Sequence, residues 1–164
     1  MTRQTAALRL AIEPAQLTDL EYLVAANLGI ALETEQRELD RATLTAGVAA
    51  ALANPQRGRY FMARTGPQAT PVGTLMLTQE WSDWRNGEFW WIQSVYVSPA
   101  ARGQGVFRAL YATVLEAAQQ TPGVCGLRLY VDHDNHTARN TYLQVGMKEA
   151  GYSVFETDFS AVAR

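Results

Sequence analysis

The chain has 164 residues, a formal net charge of −2, and 48% hydrophobic against 18% charged residues. This length is enough for one sizeable core and short for two, so we expect a single domain over residues 1–164. No run of lysine and arginine offers a surface for nucleic acid, and no apolar stretch nears the ~18 residues of a membrane span. With a single cysteine and an N-terminus unlike a secretory signal, we expect a cytoplasmic protein whose partners include no nucleic acid and no membrane.

The first third of the sequence predicts one strand and two helices. Residues 8–12 alternate as a short strand, and a capping box from Thr18 to Glu21 predicts the start of a helix. A second helix is expected to begin near Asp40 and to stop before Pro55. Residues 32–35 fall between these helical patterns, and we expect them to form a loop on the substrate side.

Three predicted strands follow, at residues 60–64, 72–80 and 88–97. The Asn86-Gly87 pair suits a tight turn, so the last two strands should form an antiparallel pair. Hydrophobic side chains occur on both faces of the 88–97 strand, as expected for a strand at the centre of a sheet.

Residues 95–110 combine a strand end, a glycine turn from Arg102 to Gly105, and the start of an amphipathic helix at Val106. Glycine lets a ligand approach the backbone, and a helix N-terminus presents unpaired N–H groups, so this arrangement can bind phosphate. Two alternatives stay open: an ordinary strand-to-helix corner with a solvated arginine, or a site for some other phosphorylated ligand. The dinucleotide and Walker glycine patterns are not found in this turn.

The remaining residues predict a strand, a helix and a last strand. Residues 126–131 should form a strand parallel to the 88–97 strand, because the helix between them supplies the crossover of a β-α-β unit. A helix over residues 135–145, ended by Gly146, precedes a final strand at residues 152–159. The order β-α-α-β-β-β-α-β-α-β indicates an α/β protein, or α+β by some schemes.

The glycine turn resembles the coenzyme A pyrophosphate loop of the GNAT superfamily of acetyl-CoA-dependent N-acetyltransferases, whose pattern is Q/R-x-x-G-x-G/A. That pattern falls on Arg102, Gly105 and Phe107, and Phe107 departs from it because a small residue usually stands there. The element order is also similar to the GNAT fold, a mixed central sheet with helices on both faces. The resemblance therefore covers nearly the whole chain.

The resemblance implies an acetyl-CoA co-substrate and the residues that bind it. Asn135, Ala138 and Tyr142 share one helix face. In the family, a residue similar to Asn135 holds the pantetheine arm, a small residue like Ala138 lets the arm pass, and a tyrosine like Tyr142 protonates the departing thiolate. Taken by itself, Tyr142 also fits a buried tyrosine with a satisfied hydroxyl. The backbone N–H of Val97 would stabilise the oxyanion that forms when an amine attacks the thioester. The implied cofactor-binding residues are Val95, Tyr96, Val97, Arg102, Gly103, Gln104, Gly105, Val106, Phe107, Asn135, Ala138 and Tyr142.

A base, or a chain of water molecules, must also act, because the attacking amine has to be neutral. The candidate carboxylates are Glu33, Glu35, Glu80 and Asp83. We rank Glu80 and Glu33 first, beside Tyr142 and Val97, as catalytic residues. Each of these carboxylates equally fits a solvated surface position.

The same acidic segments, together with Glu88, also indicate the charge of the acceptor. Arg85 is the only basic residue within these segments, the first of which ends before Arg37. Such an excess of negative charge favours a small cationic amine. Trp81 or Trp84 is a candidate aromatic wall for its pocket, and core or rim packing is the alternative.

One short segment contains residue types that bind metals: Asp132, His133, Asp134 and His136. Adjacent side chains in an irregular loop do not converge easily on one ion, so we predict helix capping and solvation rather than a metal site. Cys125 is expected to be a small structural residue, because no histidine partner is suggested by spacing.

We therefore expect an N-acetyltransferase that transfers acetyl directly from acetyl-CoA to a primary amine. A non-catalytic acyl-CoA-binding or regulatory module on the same fold is the alternative, and the retained Tyr142 favours the enzyme. The identity of the acceptor cannot be read from the sequence. The oligomeric state is open as well, with a homodimer as one candidate.

Overall fold

The computed structural model describes residues 9–159, so Leu8 of the first predicted strand lies outside the described residues. Contacts divide the chain into two compact units, Met1–Asp132 and His133–Arg164. The elements of the described part are β1 (Leu10–Pro14), α1 (Leu20–Glu35), α2 (Arg41–Ala53), β2 (Arg59–Thr65), β3 (Thr70–Ser82), β4 (Gly87–Val97), α3 (Val106–Gln120), β5 (Val124–Leu129) and α4 (His136–Gln144). No helix among these residues is long and apolar enough to span a membrane.

The first unit is built on one five-stranded sheet in the order β1-β2-β3-β4-β5. Strands β1 to β4 are successively antiparallel, and β4 and β5 are parallel. Both predicted pairings are therefore confirmed. The Asn86-Gly87 turn closes the β3–β4 hairpin, with Asn86 in the left-handed region at φ 45°, and α3 makes the crossover from β4 to β5.

Helices cover both faces of this sheet, as the predicted fold class requires. On the face under α1 and α2, the buried core residues are Leu23, Val24, Val48, Ala51, Tyr60 and Met62. A fully buried leucine such as Leu23 contributes about 1.5–3 kcal/mol through the hydrophobic effect. On the opposite face α3 lies so close to β3 that a Cβ on Gly73 would stand 2.7 Å from Val106 Cγ1.

Strand β4 is irregular near its carboxyl end. Thr74 pairs with Tyr96 and Met76 pairs with Gln93, so β4 carries one extra residue there, and Ser94 adopts φ 49°. This is a β-bulge, which bends a strand and interrupts its pairing. The β4–β5 ladder reaches only to Ile92–Leu129, whereas β4 continues to Val97. The two parallel strands therefore part over the last residues of β4.

Two predictions about α1 were wrong in position. The capping interaction joins the Gln16 N–H to the Asp19 carboxylate (2.9 Å) instead of starting at Thr18. Asp19 is fixed there by an ion pair with Arg64, a long-range contact that sequence spacing does not reveal. Residues 32–35 are the last turn of α1 rather than a loop, because no glycine or proline stops the helix before Gln36, which ends it at φ 52°.

The second unit contains α4 and the residues after it. Asn135 caps α4, its side-chain oxygen accepting from the Ala138 N–H (3.0 Å), and Gly146 follows the helix at φ 89°, as predicted. The predicted last strand at residues 152–159 was wrong, because this segment forms no ladder with any described strand. Its aromatic side chains are exposed, Phe155 by 95%, so alternation alone did not produce a strand without a hydrogen-bonding neighbour.

Candidate active site

The glycine turn has the backbone geometry of an anion site. Gly103 and Gly105 both adopt left-handed conformations, at φ 73° and 83°, which glycine accepts without a Cβ penalty. A Cβ on either residue would meet no heavy atom within 4 Å, so the space above the turn is open. Gly105 directly precedes the 15-residue α3, whose first turn contains no acidic residue. A phosphate group could therefore approach the backbone N–H groups of this helix end closely.

The side chain of Val106 fixes the turn to the sheet. Val106 is 1% exposed and packs on β3 at Gly73, which has no side chain to obstruct it. The side chain of Phe107, at the position where the family pattern expects a small residue, instead lies beside Tyr111 with ring centroids 6.0 Å apart. The departure from the pattern is thus accommodated along the helix surface, and the backbone of the turn is unaffected.

The guanidinium of Arg102 is bound by other residues of this unit. Its Nε donates to the Val97 carbonyl (3.0 Å) and its Nη2 donates to the Glu33 carboxylate (2.6 Å). It also lies 5.9 Å from the Tyr96 ring centroid. Arg102 therefore joins the turn to the end of β4 and to the last turn of α1.

The Val97 amide faces the gap between β4 and β5. The Ser98 N–H donates to the Val72 carbonyl (2.9 Å), so Gly73 and Val97 form a non-hydrogen-bonded antiparallel pair. In such a pair the N–H and C=O groups point away from the partner strand, here away from β3 and toward the side where the β5 ladder has ended. An oxygen atom in that gap could accept a hydrogen bond from Val97.

Helix α1 covers the same strand end. The hydroxyl groups of Tyr22 and Ser98 are hydrogen-bonded (3.0 Å), and a Cβ on Gly29 would lie 3.1 Å from the Tyr96 ring. Burial raises the pKa of Tyr22, with a smaller opposing contribution from the Ser98 hydrogen bond, so this phenol stays neutral at physiological pH. Close helix packing at Gly29 brings Glu33 over the turn.

Three of the four acidic candidates for a base are already engaged. Both oxygens of Glu80 accept hydrogen bonds, from Trp91 Nε1 (2.7 Å) and from Arg128 Nη1 (2.8 Å). Glu33 binds Arg102, and Asp83 accepts from the Trp84 backbone N–H (2.9 Å). A role as base for Glu80 or Glu33 stays a prediction, and it would require these hydrogen bonds to be exchanged for an amine or a water molecule.

Sequence reasoning missed a polar and aromatic cluster on the α1/α2 face of β3, β4 and β5. Its members, named here the Arg128 cluster, are Glu80, Phe89, Trp91, Arg128 and Tyr130. The signal was the alternation that places Phe89 and Trp91 on one face of β4, together with Gly126 beside them on β5. Trp84, predicted as a candidate pocket wall, is 92% exposed, and Trp81 is 61% exposed.

A groove of about 450 Å³ lies on the same face, between α2 and the sheet. Leu44, Gly47 and Val48 of α2 form one wall, and Tyr60 and Met76 form the floor. Met76 precedes Thr78 and Glu80 on one face of β3, since alternate residues of a strand share a face. The groove therefore opens on the same sheet face as the Arg128 cluster, with Glu80 four residues, or about 13 Å, further along β3 than Met76.

The remaining predicted site residues belong to the second unit. Asn135 is the N-cap of α4, and Ala138 and Tyr142 lie within that helix. Burial raises the pKa of Tyr142, so its hydroxyl carries a proton at neutral pH. Within residues 9–159 no group of three or more His, Cys, Asp or Glu side chains is arranged to hold a metal ion.

The residues present fit the coenzyme A part of an acyl donor. The open glycine turn at the start of α3 suits a pyrophosphate, and the gap beside Val97 suits an extended arm that bonds to a strand edge. Both features lie within residues 95–110, where the strand end at Val97 is followed by the glycine turn and then by the start of α3.

Comparisons with known proteins agree with this geometry. The crystal structure of a possible acetyltransferase from Clostridium difficile 630 is 38% identical over 91% of this chain and 97% of that chain, with a TM-score of 0.84. A predicted acetyltransferase with acetyl-CoA from Clostridium acetobutylicum is 17% identical (TM-score 0.71; 90% and 96% covered). An aminoglycoside N-acetyltransferase in complex with CoA is 15% identical (TM-score 0.72; 94% and 98% covered), and these last two likenesses show the fold alone.

No curated protein sequence matches the chain. The model of the acetyltransferase (GNAT) family matches residues 21–147. This range includes strands β2 to β5, the glycine turn and α4. With more than half of the chain matched, and with the turn and the parted strands in place, this protein belongs to the GNAT family of acetyltransferases.

Proposed function

We propose that this chain is an N-acetyltransferase that transfers acetyl directly from acetyl-CoA to a primary amine of a small acceptor carrying positive charge. It would act as one domain over residues 1–164, in the cytoplasm. The observation that carries the proposal is the open turn at Gly103 and Gly105 beside the outward-facing Val97 amide. A purely structural corner would need neither the open space nor the parted strands.

Each implied residue has a task that its own chemistry allows. Acetyl-CoA supplies the acetyl group as a thioester when bound. The backbone N–H groups of residues 103–107 would hold its pyrophosphate, and the Val97 N–H would donate to the carbonyl oxygen as negative charge develops there. Tyr142 would give its proton to the departing sulfur, and the amine would lose its proton through a water molecule to Glu80 or Glu33.

The acceptor side is supported by the α1/α2 face. The groove between α2 and the sheet has room for a small molecule, and the same sheet face carries aromatic rings that already contact a cation, Arg128. These features favour a small cationic amine over a protein side chain.

The test is release of free CoA from acetyl-CoA with a panel of amines at low and high salt. We expect turnover with one or more small amines, and a higher KM at high salt because charge attraction is screened. Acetyl-CoA binding without transfer to any amine would reject the enzyme and favour a non-catalytic module. A thermal-shift comparison of CoA, NAD and ATP separates the case in which the turn binds another phosphorylated ligand.

A further inference from the structure

The backbone of Val97 is held in place by contacts on both sides of β4. The Ser98 N–H donates to the Val72 carbonyl (2.9 Å), which ties the peptide unit between Val97 and Ser98 to β3. The carbonyl of the same peptide unit accepts from Arg102 Nε (3.0 Å) on the outer side of the strand. Because Arg102 binds the carbonyl on this edge, the group that Val97 presents to the gap is its N–H donor.

The carboxylate of Glu33 determines the direction of the Arg102 guanidinium. It accepts from Arg102 Nη2 (2.6 Å), and a guanidinium is a rigid planar fork, so this bond also fixes the direction of the Nε–H toward Val97. Both side chains are partly exposed, Arg102 by 47% and Glu33 by 43%. Without the glutamate, Arg102 could therefore turn toward solvent or toward a phosphate on the glycine turn.

Helix α1 fixes Glu33 through two further contacts on the same face of the helix. Tyr22 hydrogen-bonds to Ser98 (3.0 Å), and Gly29 packs so closely on Tyr96 that a Cβ would lie 3.1 Å from the ring. The three α1 positions are spaced by seven and four residues, which places them on one side of a helix. The helix thus follows the end of β4, and its last turn has a fixed position relative to that strand end.

We propose that Glu33 is a positioning residue: it holds Arg102 on the Val97 carbonyl, so that the Val97 N–H keeps its direction toward the carbonyl oxygen of the acetyl group. The inference rests on the proposed function and deepens it, because Glu33 then takes no proton from the amine. A base would have to give up the ion pair with Arg102 before it accepted a proton. A positioning residue keeps that ion pair throughout the reaction.

The experiment measures kcat, KM and the pH dependence of kcat for wild type and Glu33→Gln, with an amine that the substrate panel identifies. Glutamine keeps the size of the side chain, but it can neither balance the charge of Arg102 nor act as a base. Calorimetry gives the affinity for acetyl-CoA. The matched control is Glu21→Gln, since Glu21 belongs to the same helix and forms an exposed ion pair with Arg41 of α2 (2.7 Å).

We expect Glu33→Gln to lower kcat by about tenfold at every pH, which is less than the roughly 10²–10³-fold loss caused by removing an oxyanion donor outright. The shape of the pH profile should stay that of wild type. Acetyl-CoA affinity should not fall, because the released Arg102 is able to turn toward the phosphate. Glu21→Gln should match wild type in kcat, pH profile and affinity.

A double-mutant cycle with Arg102→Gln tests whether Glu33 acts through Arg102. In the Arg102→Gln background, Glu33→Gln should cause no further loss of kcat, because the side chain that Glu33 positions has been removed. Equal losses of kcat in both backgrounds would overturn the inference.

An unchanged kcat in Glu33→Gln would also overturn the inference and leave the acetyltransferase proposal standing. A pH profile that loses its acidic limb in Glu33→Gln would overturn it in favour of Glu33 as the base. Absence of transfer to every amine would reject both proposals together. The comparison of wild type with Glu33→Gln decides the matter even if the Arg102→Gln variants do not fold.

Discussion

At the scale of single residues, one charged contact links the proposed cofactor side to the proposed acceptor side. The Arg102–Glu33 pair joins the glycine turn to α1, and both side chains are nearly half exposed. An exposed pair of this kind contributes at most about 1 kcal/mol to stability. Its importance is therefore one of position: Arg102 is held toward Val97, and the backbone of the turn stays open for the proposed phosphate.

Tyr142 is the residue to which we assign proton donation. Burial raises its pKa above the ordinary value of 10, so the donor form is fully present at neutral pH and is lost only as the pH rises through that raised value. Tyr142→Phe should lower kcat by ~10²-fold or more, because a general acid is removed, and should change acetyl-CoA affinity by no more than a few-fold. Steady-state kinetics and calorimetry measure the two effects.

The matched control for this variant is Tyr152→Phe, since Tyr152 belongs to the same unit and is 81% exposed. It should behave as wild type. If Tyr142→Phe retained full turnover, a water molecule would be the proton donor. Any alkaline fall in wild-type kcat that belongs to Tyr142 should lie above pH 10 and be missing from the Phe variant.

At the scale of elements, the turn between β4 and α3 is the element to which we assign the proposed cofactor site. Replacing Gly105 with Val puts a side chain into the open space above the turn and forces a branched residue to φ 83°. We expect acetyl-CoA affinity to fall at least about tenfold, because the pyrophosphate can no longer reach the helix end. Isothermal calorimetry on the folded variant gives the result.

Gly123 provides a matched control for backbone strain. It has φ 84° and equally open surroundings, but it precedes β5 instead of the helix start. Gly123→Val should lose similar stability while keeping wild-type affinity. Unchanged affinity in Gly105→Val would mean that the turn is only a corner.

At the scale of the whole molecule, the hydrophobic core belongs to the first unit. Every buried hydrophobic side chain of the described residues lies between Leu23 and Ala118, and α4 buries none completely. A chain of residues 1–132 should therefore still unfold cooperatively on heating, because all five strands and their core are retained. It should lack acetyl transfer, because Tyr142 is removed.

Circular dichroism and calorimetric melting test the first expectation, and the CoA-release assay tests the second. The full-length chain carrying Tyr142→Phe serves as the inactive, intact control. A shortened chain with no cooperative transition would contradict the prediction and would show that the first unit does not fold without residues 133–164.

Local signals in the sequence determined the parts of the fold that depend on neighbouring residues. The Asn86-Gly87 turn, the apolar stripe of α3 and the glycines at 103 and 105 each act within a few positions, so the hairpin, the crossover and the glycine turn before α3 could all be predicted. The same reasoning failed for residues 152–159, because strand formation also needs a neighbour to complete the hydrogen bonds.

Only the tertiary structure decided what the acidic residues do. Glu80 binds Arg128 across 48 positions, and Glu33 binds Arg102 across 69, so no spacing rule links either pair. In the sequence both glutamates read as free carboxylates beside an acceptor pocket. In the folded protein each glutamate forms an ion pair with an arginine, because burying part of a charge favours an opposite charge within hydrogen-bonding distance.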